Sequence, residues 1–209
     1  MRTLINNYKD ASNKRLEKFF TILIVILCVI FILKLSFTLF YGSVYVEGDS
    51  MKGTLLNGDY VYEIKSSSPR RGDIITIETD ELDPTTGKAK VIVKRVIALE
   101  YDTVALDRGV LYLNGAVKEE PYIDPKNNDP HKTINSFETV TVPKGYMFCM
   151  GDNRNNSYDS RYTDNNGNFR FFKVSQTKGI VAEWSLSVKN IITAVNRYIE
   201  APLQQLFRK

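Results

Sequence analysis

The sequence predicts a mostly β protein carried on one membrane-spanning helix, and three observations support that fold class. A long apolar run occupies residues 19–40, short β-branched and aromatic runs follow it, and a helical apolar pattern begins at Trp184. We expect an antiparallel sheet or barrel as the core, with a small peripheral β subdomain and a C-terminal helix. The 209 residues suffice for one domain of ordinary size in addition to the membrane segment.

The apolar run at residues 19–40 is long enough to cross a bilayer once. Only Thr21, Lys34, Ser36 and Thr38 interrupt it, and at about 1.5 Å per residue it extends roughly 33 Å. A cleavable signal peptide is the alternative, but its apolar core would span only about 7–15 residues and end at a small-residue cleavage site. Residues 34–38 offer no such site, so we expect an anchor at residues 19–41.

The charges around this anchor predict its orientation. Five basic and two acidic residues precede it, whereas the other flank carries no Lys or Arg before Lys52. The positive-inside rule therefore places residues 1–18 in the cytoplasm and residues 42–209 outside, beside the lipid bilayer. The net charge of +4 is spread along the chain without a basic run, so no nucleic-acid partner is expected.

Five runs after the anchor predict strands because they are rich in Val, Ile, Thr, Tyr and Phe. They occupy residues 60–64, 73–77, 91–97, 110–113 and 146–150. Asn114-Gly115 favours a tight hairpin after the fourth run, since both residues tolerate the positive φ of a type I′ turn. Residues 119–136 are polar and irregular, which predicts a long surface excursion belonging to the peripheral subdomain.

The C-terminal part has apolar residues at nearly helical spacing. They are Leu186, Ile191, Ile192, Val195, Tyr198, Ile199, Leu203 and Leu206. One interpretation is a helix packed on the domain. The other is a helix lying on anionic lipid, because Lys189, Arg197, Arg208 and Lys209 accompany the apolar residues.

Ser50 is the candidate nucleophile, and the sequence offers it no promising histidine. His131 is the single histidine of the chain and lies in a polar loop, where such a residue is usually solvated. Residues 48–53 also lack the Gly-x-Ser-x-Gly elbow of the α/β-hydrolases. Cys149 lies in an apolar run and is interpreted as a small core residue, and because Cys28 is in the anchor, no disulfide is expected.

Lys94 is the candidate general base. It interrupts the apolar run at residues 91–97, and strand alternation places it on the same face as Ile92 and Val96. Desolvation lowers the pKa of a lysine and allows it to deprotonate a hydroxyl. To be half neutral near pH ~8, Lys94 needs a pKa about 2.4 below ~10.4, at a cost of roughly 3 kcal/mol. A solvent-facing lysine at a sheet edge is the alternative.

Five features in this order resemble the bacterial type I signal peptidases of the Gram-positive kind, which use a Ser-Lys dyad. They are the anchor, Ser50-Met51, Arg71-Gly72-Asp73-Ile74, Lys94-Arg95-Val96-Ile97 and residues 151–161, the last being the most specific. A calcium loop does not explain residues 151–161, since Arg154 occupies a ligand position and no closing glutamate follows. Neither a metal nor a cofactor is expected.

The resemblance implies a serine endopeptidase of the bacterial plasma membrane, with residues 42–209 as its extracytoplasmic peptidase domain. Ser50 would attack the scissile carbonyl, and Lys94 would take its proton. Asp49 and Met51 would contact the substrate strand. The substrates would be the signal peptides of translocated preproteins, with small residues at the first and third positions before the cut.

The same resemblance assigns supporting roles in residues 151–161. Ser157 would hydrogen-bond to the lysine and orient it. Asp159 and Arg161 would form an ion pair near the site, and Gly151 would leave room beside the lysine.

Two departures from the family pattern lie on either side of the nucleophile. Gly53 replaces the usual proline and loses its fixed φ, and Gly48 lacks the hydroxyl with which some members stabilise the oxyanion. A non-catalytic or dedicated surface-fibre assembly factor with the same fold is one alternative, which the presence of both Ser50 and Lys94 disfavours. A self-cleaving repressor-type Ser-Lys peptidase is another, which the anchor and residues 151–161 disfavour.

Overall fold

The computed structural model describes residues 2–206 except 66, 67, 85, 130, 132 and 133, and it describes helix side chains only between residues 14 and 198. The chain divides into two compact units, Met1–Tyr41 and Gly42–Lys209. Helix α1 (Arg2–Phe40) forms the first unit. Its segment Lys14–Phe40 is long enough to cross a membrane and contains an 18-residue stretch with a mean hydropathy of 2.9.

The second unit is built mainly from short strands. The strands are β1 (Tyr41–Tyr45), β2 (Tyr60–Ile64), β3 (Ile74–Leu82), β4 (Ala89–Leu99), β5 (Thr103–Asp107), β6 (Val110–Leu113), β7 (Ala116–Val117), β8 (Phe137–Thr141), β9 (Tyr146–Met150), β10 (Phe172–Lys173) and β11 (Thr177–Val181). Two helices follow them, α2 (Glu183–Ser187) and α3 (Lys189–Leu206). The expected β-rich domain with a C-terminal helix is therefore confirmed.

The described strands form two open sheets, and neither closes into a barrel. The larger sheet has the order β1-β2-β11-β3-β4-β9-β10, and the smaller has the order β7-β6-β5-β8. The smaller sheet is the predicted peripheral subdomain. Its β6–β7 hairpin turns through Asn114 (φ +53°) and Gly115 (φ +78°), as the Asn-Gly pair predicted.

Each sheet contributes to a buried apolar cluster. One cluster joins the end of β4 and β9 to the smaller sheet and includes Ala98, Leu106 and Phe148. A second lies beneath the turn after β1 and includes Met51, Leu55 and Val61. The second cluster matters for function because Met51 directly follows the candidate nucleophile, so burial of Met51 fixes the position of that turn.

Candidate active site

Ser50 and Lys94 lie in contact although 44 positions separate them along the chain. The Nζ of Lys94 is 2.9 Å from the Oγ of Ser50. Ser50 lies in a tight turn in which the amides of Thr54 and Leu55 donate to the carbonyl of Met51. Met51 is 1% exposed and packs in the core beneath this turn, so its side chain supports the turn that carries Ser50.

Lys94 lies in an interior strand, next to the point where the pairing of β4 with β9 begins. It is opposite Ile75 of β3, and β9 continues the sheet on the other side from Arg95 onward. Only 4% of Lys94 is exposed. Burial lowers the pKa of its ammonium group from 10.5 to about 8, although the nearby Asp159 and Cys149 act in the opposite direction. A substantial neutral fraction therefore exists at mildly alkaline pH.

Gly151 and Ser157 pack directly against the nucleophile turn. A Cβ on Gly151 would collide with the Oγ of Ser157 and with the carbonyl oxygen of Ser50, so no larger residue fits there without a shift. The Oγ of Ser157 is buried and has no hydrogen-bond partner in the described part of the chain. Ser157 also lies close enough to Asp159 to help lower the pKa of that carboxyl.

Asp159 and Arg161 form a buried, two-point ion pair. The Nε of Arg161 is 2.9 Å from Oδ1 of Asp159, and its Nη2 is 3.0 Å from Oδ2. The amide of Gly151 also donates to this carboxylate at 2.9 Å. Burial opposes ionisation of Asp159, but the Arg161 guanidinium holds the pKa of the carboxyl below its usual value. The pair thus remains charged and ties residue 151 to residues 159–161.

Asn153 holds the nucleophile turn, a role that sequence reasoning missed. Its side-chain amide donates to the carbonyl of Asp49 at 2.8 Å, and its backbone amide donates to the carbonyl of Ser50 at 3.0 Å. These two hydrogen bonds fix the positions of Asp49 and Ser50. The only sequence signal for such a role was the unusual polarity of residues 151–161.

Arg95 and Asp152 provide a second missed support. The Arg95 guanidinium binds Asp152 through two contacts of 2.9 Å and 2.6 Å. Asp152 in turn accepts a hydrogen bond from the Thr54 hydroxyl at 2.5 Å. The residue next to the candidate base is therefore linked, through one carboxylate, to the turn that carries the candidate nucleophile.

The excursion at residues 119–136 covers this network and is not merely peripheral. The ring of Tyr122 lies 3.8 Å from the Arg95 guanidinium carbon, a distance at which cation–π attraction operates. Glu120 accepts two hydrogen bonds from the buried Arg154, at 2.9 Å and 2.5 Å. Residues 119–122 thus shield two arginines that the surface interpretation of this segment did not anticipate.

A cleft of about 580 Å³ contains both Ser50 and Lys94. Residues 88–94 line this cleft together with Val44, Glu47 and Asp49. Among the described strands, none pairs with the cleft side of residues 91–93, because β9 joins β4 only from Arg95. That side offers free main-chain groups to an extended peptide. Asp49 lies in the cleft wall, whereas Met51 does not.

Cys149 and His131, which the sequence also offered as a nucleophile and a base, lie outside the cleft lining. Cys149 is fully buried, and burial raises the pKa of its thiol, so it has the properties of an inert core residue. His131 is exposed in its loop, where its amide donates to Asp129.

The sequence of this chain is similar to those of known peptidases. The chain matches the family described as signal peptidase, peptidase S26, over residues 16–186. It is 35% identical to a signal peptidase I of Bacillus licheniformis, over 73% of this chain and 83% of that protein. It is 36% identical to signal peptidase I U of Bacillus subtilis (strain 168), over 74% of this chain and 84% of that one.

Among solved structures, a signal peptidase I from Enterococcus faecalis V583 is 30% identical, with a TM-score of 0.42 over 55% of this chain and 97% of that chain. The family match spans most of the chain, and both Bacillus relatives are covered over more than two thirds of their length. The chain therefore belongs to the signal peptidase family, peptidase S26, and is a serine endopeptidase.

Proposed function

We propose that this protein removes signal peptides from translocated preproteins with Ser50 as nucleophile and Lys94 as general base. The observation that carries the proposal is the 2.9 Å contact between Ser50 Oγ and the Nζ of a buried lysine. A lysine can serve as a base only if its amine is neutral, and burial lowers the pKa of Lys94 to about 8.

The proposed reaction proceeds through an acyl-enzyme. Neutral Lys94 removes the hydroxyl proton as Ser50 Oγ attacks the carbonyl carbon of the scissile bond. The resulting ammonium then gives that proton to the departing amine, which is the new N-terminus of the mature protein. In the second half, Lys94 removes a proton from water as the water oxygen attacks the ester carbonyl. The bond from that carbon to Ser50 Oγ then breaks, Lys94 returns the proton to Oγ, and the signal peptide leaves with a free C-terminal carboxylate.

Two neighbouring groups are proposed to support this proton transfer. Ser157 would orient the Lys94 amine, since its buried hydroxyl lies beside Gly151 and has no hydrogen-bond partner among the described residues. The Asp159–Arg161 pair would hold Gly151 and Ser157 in place through the Gly151 amide. The oxyanion would be bound by the backbone N–H of Ser50, because Gly48 has no side chain to contribute.

The substrate is proposed to bind as an added strand along residues 91–93. Main-chain hydrogen bonds to this unpaired side would supply affinity, and alternate side chains of the peptide would point into the cleft. Asp49 lies in the cleft wall, where it can contact the peptide. Met51 would act indirectly by fixing the turn from the core.

The location of the site is proposed to follow from the anchor. Residues 19–41 would cross the bacterial plasma membrane once, with residues 1–18 in the cytoplasm and residues 42–209 outside. An extracytoplasmic site beside the bilayer suits a substrate whose signal segment is still held in the membrane.

The deciding experiment compares wild type and Ser50→Ala on a preprotein in liposomes, with the cut position determined by mass spectrometry. Ser187→Ala is the matched control, since Ser187 is exposed at the end of α2. We expect cleavage after a small residue by wild type and by the control, and none by Ser50→Ala. Equal processing by all three proteins would refute the assignment, and binding of preprotein by wild type without any cleavage would favour an assembly factor.

A further inference from the structure

Lys189, the first residue of α3, contacts the turn that carries Ser50. Its ammonium group donates to the carbonyl oxygen of Thr54 at 2.7 Å and to Oδ2 of Asp59 at 3.0 Å. The side chain of Lys189 is 20% exposed and that of Asp59 is 10% exposed, so both charges are largely withdrawn from water. Charge-assisted hydrogen bonds are about twice as strong as those between neutral groups, and both of these bonds direct the lysine toward the domain.

The backbone of Lys189 has a fixed position because buried residues on either side of it bind to β2. Ser185, four residues earlier, is fully buried, and its hydroxyl lies 3.2 Å from the carbonyl oxygen of Tyr62. Thr193, four residues later, is buried as well and accepts a hydrogen bond from the amide of Tyr60 at 2.8 Å. Lys189 therefore extends from a helical segment that is anchored on both sides.

Thr54 is held from two sides at the end of the nucleophile turn. Its hydroxyl donates to Asp152 at 2.5 Å, and its carbonyl accepts the hydrogen bond from Lys189. Its amide donates to the carbonyl of Met51 at 3.0 Å and closes the turn that follows Ser50. A displacement of Thr54 would therefore reach Met51 and the nucleophile that precedes it.

These restraints matter because Gly53 gives the turn backbone freedom. Gly53 has a φ of +113° and no side chain that could limit rotation of the peptide groups around it. Asn127 donates to the carbonyl of Lys52 at 3.2 Å, and Lys189 donates to the carbonyl of Thr54. The two neighbours of Gly53 are thus fixed by side chains from outside the turn, one from the polar excursion and one from α3.

We propose that Lys189 is a positioning residue for the cleavage reaction, which holds the turn of Ser50 at hydrogen-bonding distance from Lys94 through the carbonyl of Thr54. Lys189 is not among the described residues that line the cleft, so it acts on the position of the nucleophile and not on the binding of substrate. The start of α3 is thereby part of the support of the active site. This inference rests on the proposed roles of Ser50 and Lys94.

Single-turnover cleavage tests this role, with the full chain in detergent and in excess over a preprotein. At saturating enzyme, the observed rate constant reports cleavage by folded protein and does not depend on the unfolded fraction. We expect Lys189→Met to lower this rate constant about tenfold, as a displacement of the nucleophile by less than about 1 Å would do. Lys189→Ser, too short to reach Thr54 and small enough for water to hydrate Asp59, gives the same test if the methionine variant does not fold.

Thr193→Val is the matched control. It removes a buried hydrogen bond between α3 and β2 and leaves the contacts of the nucleophile turn in place. We expect lower stability toward urea and an unchanged single-turnover rate constant. In Lys189→Met, the midpoint of the pH profile should remain that of wild type, because the pKa of Lys94 is lowered mainly by its own burial.

Three results would overturn the inference. A rate constant of Lys189→Met equal to that of wild type would show that the contact only stabilises the fold. An equal loss in Thr193→Val would assign the effect to the docking of α3 as a whole, and a shifted pH midpoint in Lys189→Met would show that its charge acts on Lys94 directly. Cleavage by Ser50→Ala at the wild-type rate would instead refute the proposed function on which the inference rests.

Discussion

Lys94 should destabilise the fold in its ionised state, and its replacement by methionine makes this measurable. Methionine keeps a similar length and apolar stem but carries no charge. The pKa of Lys94 falls from 10.5 to about 8 because of burial, and each pKa unit corresponds to about 1.36 kcal/mol. We therefore expect Lys94→Met to abolish cleavage and to raise the free energy of unfolding by about 3 kcal/mol near neutral pH.

The stability advantage of Lys94→Met over wild type should decrease as the pH rises. Below about pH 8, Lys94 is protonated in both the folded and the unfolded chain, so the full cost of the buried charge is present. Between that pH and 10.5, the unfolded chain binds more protons than the folded one, and the stability of wild type rises with pH. Above 10.5 the lysine is neutral in both states, so the advantage of the methionine variant should disappear.

The assay is urea unfolding of the full chain in detergent, at neutral pH and again near pH ~10.5. Lys90→Met is the matched control, because Lys90 lies on the same strand but is exposed, with only a 3.9 Å contact to Glu81. Its effect should stay within about 0.5 kcal/mol at both pH values. A Lys94→Met protein less stable than wild type at neutral pH, or equally stabilised at both pH values, would contradict a buried lysine with a lowered pKa.

Three further outcomes follow from the site. The kcat/KM of wild type should rise with pH and level off above about 8, since only neutral Lys94 accepts a proton; a flat profile from pH ~7 to pH ~9 would exclude it as base. Asp159→Asn should lower the free energy of unfolding by about 3–5 kcal/mol, measured by urea, because Arg161 would keep a buried charge without its partner. Gly53→Pro should lower both thermal stability and cleavage rate, since Gly53 has φ +113° and proline is fixed near −65°; an unaffected variant would show that the turn adopts another conformation.

Local composition predicted five of the described strands from their β-branched and aromatic residues, namely β2, β3, β4, β6 and β9. It missed β11, although this strand joins β2 to β3 in the centre of the larger sheet. The reason is visible at Gly179, where a Cβ would collide with the buried side chain of Glu63. Glycine is uncommon in strands, so a sequence that contains it does not predict one. Position 179 is glycine because the side chain of Glu63, far away in the chain, packs against it.

Ser50 and Lys94 could be predicted as catalytic residues because each belongs to a recognisable sequence segment. The alternative interpretation of Lys94 as a solvent-facing lysine was wrong, since only 4% of its surface is exposed. Periodicity alone could not decide this, because it assigns a residue to a face and not to a position within the sheet. The roles of Asn153 and Asp152 were missed for a related reason: their partners Asp49 and Thr54 lie about a hundred residues away in the chain.

The turn around Ser50 is fixed by contacts from across the site and does not require the ring of a proline. Gly48 and Gly53 have φ values of +82° and +113°, so both glycines supply conformations that other residues adopt poorly. Rigidity comes from Asn153, which bonds to both sides of the Asp49–Ser50 peptide. Residues 151–161 therefore position the serine through Asn153 and support the lysine side through Asp159. Because one segment contacts the surroundings of both proposed catalytic residues, a displacement of that segment would change the Ser50–Lys94 distance even if neither residue were altered.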